Sequence, residues 1–320
     1  MPDLTKTPAT DEAQAVAIVE ADAKADDSAS TASKPRSLWG DAWRDLRRRP
    51  MFLAATALII LVILLAAFPS LFTSADPRYG DLTKHFLEKP NLTHFFQADW
   101  FGYDRQGRSI YARVVYGTRN SIMVGMGVTI LITLFGGLVG MLAGYFGGFW
   151  DSLLSRIVDI FFGIPFLLGA MVILNAFSNP NVWVITGALA FLGWTQIARV
   201  MRGAVITTKH ADYVVAARAL GADTKRILFR HILPNALAPV IVIATIALGT
   251  YIVAESTLSF LGLGFGGDEF SWGSDISDSL DDIRNNPHTL IFPAGMLSIT
   301  VLAFIMMGDA VREALDPKLR

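Results

Sequence analysis

The chain has 320 residues, of which 52% are hydrophobic and only 17% are charged, and its formal net charge is −1. Its mean hydropathy is +0.45, and so few charged residues cannot cover the surface of soluble domains of this length. The composition therefore argues against a soluble globular protein and predicts a membrane protein.

The residue content also argues against several kinds of site. The chain has no cysteine, which excludes disulfides and thiolate metal ligands. Its five histidines lack the spacing of metal ligands, so no metal site is expected. No glycine-rich phosphate loop of the Walker type occurs, so any use of ATP must lie in another chain. The near-neutral net charge does not point to nucleic acid, and no nucleic-acid partner is expected.

Residues 1–36 are rich in Ala, Asp, Ser and Thr and contain no aromatic residue. The segment also lacks apolar periodicity, which predicts a disordered tail. The first apolar run begins only at Pro50, whereas a secretory signal has a short basic region before its apolar core. A cleaved signal peptide is therefore not expected.

Uncharged stretches set the predicted membrane architecture, and they are Pro50–Ala75, Asn120–Trp150, Ile160–Ala198, Ile232–Ala254 and Thr289–Gly308. The core of the first, Met51–Phe72, exceeds the ~20 residues that cross a bilayer. The third is too long for one helix, and Ser178–Asn181 divides it into two spans. The sequence therefore predicts an all-α membrane protein with six transmembrane helices.

The distribution of Lys and Arg predicts the orientation. Four arginines precede the first span, which places the N-terminus in the cytoplasm, and six spans return the C-terminus to the same side. The basic connection Arg199–Arg230 falls on that side, and the last external loop is acidic. The first external loop departs from the rule, and its basic residues are expected to lie at the interface or to pack against protein; they are Arg105, Arg108, Arg113 and Arg119.

Glycine and proline mark particular helices. Three successive small-xxx-small steps in the second span predict close helix packing, within this subunit rather than as a sliding contact with a partner; the residues are Gly136, Gly140, Gly144 and Gly148. Prolines in later spans predict bends of the kind that surround an aqueous path; they are Pro165, Pro234, Pro239 and Pro293.

The long basic connection contains a short predicted helix. It runs from Asp212, the expected N-cap, to Gly221, which ends it. Its apolar face comprises Tyr213, Val214, Ala217 and Leu220. A second short helix is expected to start at Asp223 and to lead into the next span. The apolar face requires cover, either from this chain's own helix ends or from a groove in a partner, and the residues alone leave both open.

This connection is similar to the cytoplasmic loop of binding-protein-dependent ABC importer permeases. That family has Glu-Ala-Ala, then Gly, then Leu-Pro, whereas here Val215 stands at the Glu position and His231 at a position that is usually Ile. With these two residues, the loop is similar to that of the family members that import peptides or nickel. The resemblance implies the type I importer fold and a helix that inserts into a cleft of a cytoplasmic ATPase. The implied coupling residues are Asp212, Tyr213, Ala216, Ala217, Arg218, Gly221, Arg226, His231 and Pro234.

Further motifs extend the resemblance over Ser37–Arg320, to the C-type (DppC/OppC-like) subunit of dipeptide and oligopeptide importers. They are Phe101–Ser109, Tyr116–Ser121, Gly144–Gly148, Glu255–Gly264, Ser271–Gly273 and Gly308–Pro317. Two departures are the external loop Gly266–Phe270, which lacks the usual prolines, and the long acidic tail. The implied partners are a second homologous permease, two ATPases that bind ATP and Mg, and an extracytoplasmic solute-binding protein, all at a bacterial cytoplasmic membrane. No cofactor is implied in this chain.

The resemblance divides the chain into four regions. They are the tail 1–36, an N-terminal permease region 37–118, a five-helix core 119–310 with the coupling loop 199–233, and a C-terminal tail 311–320. Glu255 falls near the external end of the fifth span, where an intramembrane carboxylate is a functional candidate. It is either a gate or pathway residue or a helix-end hydrogen-bonding group that holds the turn after it.

Two other classes of membrane protein fit the sequence less well than a peptide importer, and one alternative cargo stays open. An ion-coupled carrier usually places paired charges or broken helices at mid-membrane, whereas the charges here lie at span ends. A membrane enzyme would need a nucleophile–base pair or metal cluster, and none is visible. Within the family, nickel or a modified peptide is the closest alternative cargo.

Overall fold

The computed structural model describes residues 38–266 and 269–315, and the predicted tail 1–36 and the last residues, 316–320, lie outside them. The helices, in chain order, are α1 (Leu38–Leu46), α2 (Pro50–Ala67), α3 (Ile110–Phe146), α4 (Gly148–Phe162), α5 (Phe166–Leu174), α6 (Val182–Thr208), α7 (Asp212–Ala219), α8 (Thr224–Phe260), α9 (Trp272–Asp278) and α10 (His288–Leu315). Among the described residues there is no strand, and only two isolated β-bridges occur.

Five of these helices are long and apolar enough to cross a membrane, namely α2, α3, α6, α8 and α10. The pair α4–α5 passes the same test only when taken together, because the two helices meet at an angle of 79°. Alone, α5 has nine residues and a length of about 14 Å, less than half of the hydrocarbon thickness. The third of the six predicted spans is therefore a broken one.

Polar residues begin several of the helices by accepting hydrogen bonds from free backbone N–H groups. Ser109 Oγ accepts from Ala112 N at 3.2 Å and starts α3. Asn181 Oδ1 accepts from Val184 N at 3.1 Å and starts α6, which confirms the predicted break before that span. Ser271 begins α9 with a reciprocal capping box.

The glycine stripe packs α3 against α6. A Cβ at Gly136 would approach the carbonyl oxygen of Trp194, one at Gly140 that of Ala198, and one at Gly144 would lie 2.8 Å from that of Arg202. Each contact moves four residues along both helices in the same direction, so α3 and α6 are parallel. The contact within this subunit, which the sequence favoured over a sliding contact, is confirmed for these three glycines.

Gly148 does not belong to the stripe, and that prediction was wrong. The helix ends at Phe146, because Gly147 adopts a left-handed backbone with φ of +68°. A Cβ on Gly148 would meet nothing within 4 Å, and this residue begins α4 instead. The stripe therefore has two small-xxx-small steps rather than three.

The parallel arrangement dictates the path of the chain between α3 and α6. Since both helices run in one direction, the end of α3 and the start of α6 lie at opposite ends of the bundle. The pair α4–α5 lies between them in sequence and must bring the chain back across. The break falls at Gly163–Pro165, where Pro165 cannot donate a helical hydrogen bond and forms the N-cap of α5. The predicted bend at Pro165 is confirmed.

The other prolines lie inside helices that continue through them. Before Pro234, α8 contains a π-helical turn at Ile227–Ile232, which changes the hydrogen-bond register where proline lacks its N–H. Pro239 lies further along α8 and Pro293 lies in α10. Pro293 has no N–H to donate to the Thr289 carbonyl. That carbonyl instead accepts a hydrogen bond from Ser279 Oγ at 2.9 Å.

The bundle has two distinct ends, named here the α7 end and the α9 end. At the α7 end, Lys209 Nζ donates to the carbonyl of Gly144 at 2.9 Å, and Arg49 at the start of α2 pairs with Glu313 near the end of α10. At the α9 end, Gly266 N donates to the carbonyl of Pro180 at 3.0 Å. The same end carries α9 and the loop between α2 and α3.

Basic residues of the loop between α2 and α3 and of the start of α3 pair with acidic residues in α9 and in the segment that follows it. Arg113 is buried, and its Nε donates to Asp275 Oδ1 at 2.8 Å. Its guanidinium also lies 4.3 Å from the ring centre of Phe270. Arg105 contacts Asp282 at 3.0 Å and Asp281 at 3.1 Å, and Arg108 contacts Asp278 at 3.4 Å. These contacts give the expected packing against protein for three of the four arginines.

The buried Arg113–Asp275 pair should dominate the stability of the α9 end. In Arg113→Ala, the Asp275 carboxylate would stay buried without its guanidinium, and we expect the free energy of unfolding to fall by about 3–5 kcal/mol. The matched control is Arg105→Ala, because the Arg105 side chain is 41% exposed and its removal should leave the melting temperature close to that of the wild type. Thermal melting of the purified chain in detergent measures both. Equal melting of Arg113→Ala and the wild type would contradict this assignment.

The contact between α3 and α6 can be tested with two glycines. In Gly140→Ala, the new methyl group would overlap the Ala198 carbonyl, and overpacking of this kind costs about 1–3 kcal/mol. In Gly203→Ala, on the open side of α6, a Cβ meets nothing within 4 Å. We expect a lower melting temperature for the first variant only. If both variants melt together, close packing at the stripe is not what holds these helices.

Candidate functional site

The helix α7 is anchored to the bundle through one side chain. Val214 is completely buried and belongs to the same apolar cluster as Ile227, Leu228 and Ile232 at the start of α8. Ala217, one turn later on the same face, is partly buried. The inner side of α7 is thus covered by this chain's own residues. Of the two kinds of cover that the sequence left open, this chain supplies one for Val214 and Ala217.

The outer side of α7 presents apolar side chains to the surroundings. Leu220 is 89% exposed, and Tyr213, Val215 and Ala216 are also exposed. The predicted single face of Tyr213, Val214, Ala217 and Leu220 is therefore wrong, because the helix places Val214 and Ala217 inward and the other two outward. We call Tyr213, Val215, Ala216 and Leu220 the outer face of α7.

The two ends of α7 differ in how they are formed. At its C-terminus, Gly221 has φ of +81°, and Ala222 N donates to the Ala217 carbonyl at 3.0 Å. This is a left-handed glycine cap, as predicted. At its N-terminus the capping residue is Ala211, without a side-chain hydrogen bond, and Asp212 is the first helical residue. The expectation that Asp212 caps the helix was therefore wrong by one position.

The segment after α7 leads directly into α8. Asp223 Oδ1 accepts from Arg226 N at 3.1 Å and starts the helix, as predicted, but the helix continues through the π turn without interruption. His231 lies in that turn, and its carbonyl accepts from Asn235 Nδ2 at 2.8 Å. Arg218, Arg226 and Pro234 are exposed. The predicted coupling residues are thus brought together at the α7 end.

Ionic contacts hold the base of this region. Arg202 near the end of α6 pairs with Asp151 in α4, with Nη2 donating to Oδ2 at 2.8 Å. In α3, the carbonyl of Gly144 accepts a hydrogen bond from Lys209 Nζ, and Lys209 lies in the short link between α6 and α7. The approach to α7 is therefore fixed to both α3 and α4. Sequence inspection treated these basic residues only as indicators of orientation.

Glu255 lies in a polar cluster inside the bundle, and its exposed fraction is 0%. Its carboxylate accepts hydrogen bonds from Ser259 Oγ at 2.8 Å, Ser121 Oγ at 3.2 Å and Ser256 Oγ at 3.3 Å. Ser271 Oγ in turn donates to Ser259 Oγ at 3.3 Å. The cluster therefore connects α3, α8 and the start of α9. Among the described residues, no group of three or more His, Asp or Glu side chains could hold a metal ion.

Two family models match this chain. The model of the binding-protein-dependent transport system inner membrane component matches residues 136–320, and that of the N-terminal TM domain of oligopeptide transport permease C matches residues 37–90. The first match covers α4 to α10 and therefore includes α7 and its exposed face. The second covers the region around α2.

Curated relatives extend over almost the whole chain. The oligopeptide transport system permease protein OppC of Bacillus subtilis is 39% identical over 93% of this chain and 95% of that protein. The dipeptide transport system permease protein DppC of Alkalihalophilus pseudofirmus is 38% identical over 89% and 91%. The glutathione transport system permease protein GsiD of Escherichia coli is 35% identical over 89% and 92%.

Among solved structures, the crystal structure of an amino acid ABC transporter with histidines superposes with a TM-score of 0.47 and 17% identity, over 62% of this chain and 92% of that chain. The family models and curated relatives support the importer-permease interpretation over an ion-coupled carrier. The chain therefore belongs to the family of inner membrane components of binding-protein-dependent transport systems, as a multi-pass permease subunit of an ABC importer.

Proposed function

We propose that this chain is the C-type permease of a peptide importer and that α7 is its contact with a cytoplasmic ATPase. The cargo rests on the relatives, which are named for the transport of oligopeptides, dipeptides and glutathione. The contact rests on one observation: the outer face of α7 is apolar and exposed, while Val214 on the other side is completely buried in the bundle. Nickel remains the alternative cargo.

The α7 end is the cytoplasmic end in this proposal. Its segments are rich in Lys and Arg, as expected for the cytoplasmic side of a bilayer, and the opposite loop is rich in Asp. The termini are then both cytoplasmic. The proposed regions are a tail at 1–36, an N-terminal region at 37–118, a core at 119–310 with the coupling loop 199–233, and a tail at 311–320.

The energy for transport comes from ATP that the partner ATPases bind with Mg and hydrolyse. In this chain, a displacement of α7 acts on the start of α8 because the two segments are in contact and Val214 lies in the same apolar cluster as Ile227, Leu228 and Ile232. Since α8 crosses the membrane without interruption, it carries that displacement toward Glu255 and α9. The coupling residues Asp212, Arg218, Arg226, His231 and Pro234 lie along the same path.

The remaining partners are a second homologous permease and an extracytoplasmic binding protein. The acidic α9 end is the proposed side for the binding protein, which carries most of the selection of the cargo. Glu255 is proposed as a connection between α3, α8 and α9 rather than as a gate, since its carboxylate is fully buried and accepts from three serines.

A charge on the outer face of α7 should weaken the contact with the ATPase. Leu220→Glu alters a side chain that is 89% exposed, so the fold should be unaffected. We expect about tenfold weaker co-purification of the ATPases and loss of peptide-stimulated ATP hydrolysis. The matched control is Leu280→Glu, an exposed leucine at the α9 end, which should retain the ATPases. Full retention of the ATPases by Leu220→Glu would count against the proposed contact.

Two glycines provide a test that separates backbone strain from docking. Gly221 and Gly262 have φ of +81° and +79°, and a Cβ on either would meet nothing within 4 Å. Arginine at either position pays the same left-handed strain, of about 1–2 kcal/mol. We expect Gly221→Arg to uncouple ATP hydrolysis from peptide import, while Gly262→Arg stays coupled in the same reconstituted complex. Similar coupling in both variants would show that only the strain matters.

A further inference from the structure

A cavity of about 620 Å³ lies beside the broken span, and no role has been assigned to it so far. Its walls are the break between α4 and α5, the middle of α6 and the middle of α8. Ligand pockets in proteins have volumes of about 300–1,000 Å³. The cavity is therefore large enough to hold part of a small solute, and it lies at the bend between α4 and α5.

The walls combine aromatic surface with one positive charge. The rings of Phe161, Phe162, Phe166 and Tyr251 form the apolar part. Arg199 is the cation, and its guanidinium lies 3.7 Å from the ring centre of Phe162. None of the described residues that line the cavity is a carboxylate. The guanidinium thus has its position fixed by a ring face, while its N–H groups have no acid from the cavity wall to pair with.

The polar groups of this cavity lie on two of the long helices. Gln196 and Arg199 are exposed on α6, one turn apart, and Thr250 is exposed on α8. Arg199 directly follows the uncharged stretch that ends at Ala198, and a charged side chain at the border of a span is costly against lipid unless it faces protein or water. Arg199 also lies about one turn before Arg202, which is already paired with Asp151. The second arginine serves the structure of the α7 end, whereas Arg199 faces a cavity.

We propose that Arg199 contacts the carboxylate of the solute as it passes through this cavity. A guanidinium binds a carboxylate through two parallel N–H donors and holds it more specifically than an ammonium does. Stacking on Phe162 leaves the edge of the guanidinium, where the donors are, available to the cavity. The ligand is the terminal carboxylate of a peptide, and this assignment rests on the proposed function.

The test compares two cargoes in each variant. The complete importer is reconstituted in phosphatidylcholine vesicles, and its binding protein is saturated with either a free-acid oligopeptide or the same peptide amidated at its C-terminus. In Arg199→Gln we expect import of the free acid to fall about tenfold relative to import of the amide. Arg199→Lys should retain most of the difference between the cargoes, and Arg312→Gln at the end of α10 should behave as the wild type. Because the ratio of the two rates is taken within one variant, reduced folding cancels.

Four results would overturn the assignment. Equal loss of import for the acid and the amide in Arg199→Gln would make Arg199 a structural residue, and no loss for either would remove it from the path. An effect that appears only when phosphatidylglycerol is added to the vesicles would identify a lipid headgroup as the ligand. A wild-type complex that hydrolyses ATP without importing either peptide would refute the proposed cargo itself, and the assignment with it.

Discussion

The close approach of α3 and α6 determines much of this molecule. Three glycines on α3 leave no side chain between the two backbones, so carbonyl groups of α6 lie where Cβ atoms would otherwise be. In a bilayer, moving an apolar side chain from lipid into a helix interface releases little free energy, because lipid tails are equally apolar. Direct packing of this kind is therefore a main source of helix association. Because the contacts advance in the same direction along both helices, they also impose a parallel arrangement. The segment between α3 and α6 must therefore bring the chain back to the other end of the bundle.

The broken span is one consequence of that constraint. The chain has to return from the end of α3 to the start of α6, and it does so through α4 and α5, which meet at 79° around Gly163–Pro165. A straight helix would fill the space beside α6, whereas the bend leaves a cavity with Arg199 in its wall. The same parallel packing brings the ends of α3 and α6 together, and α7 follows directly from them. The cavity and the exposed helix therefore originate from one packing arrangement.

Features that depend on local chemistry could be predicted from the sequence. The six spans follow from uncharged stretches of sufficient length, and the end of α7 follows from Gly221, whose φ of +81° few other residues adopt. The bend at Pro165 follows from a missing N–H. The internal contact of Gly136, Gly140 and Gly144 follows from their spacing. Each of these predictions needs only the residues on one helix.

Features that depend on distant partners could not be predicted in the same way. The helix α3 begins at Ile110, ten residues before the uncharged stretch, because Arg113 finds Asp275 across the bundle. Helical spacing placed Val214 and Leu220 on one face. In the structure, Val214 is buried against the bundle, whereas Leu220 is 89% exposed. Gly148 fits the stripe by spacing, yet Gly147 ends the helix first. In each case tertiary contacts or backbone conformation overrode the pattern.

The accessibility of α7 in the assembled importer shows whether its outer face contacts the ATPases. The chain has no cysteine, so a single introduced thiol is the only reactive one in this subunit. Leu220→Cys and Leu280→Cys would be labelled with a maleimide in solubilised complexes with and without the ATPases. We expect the ATPases to protect Leu220→Cys and to leave Leu280→Cys reactive. Labelling of Leu220→Cys at the same rate with and without the ATPases would contradict it.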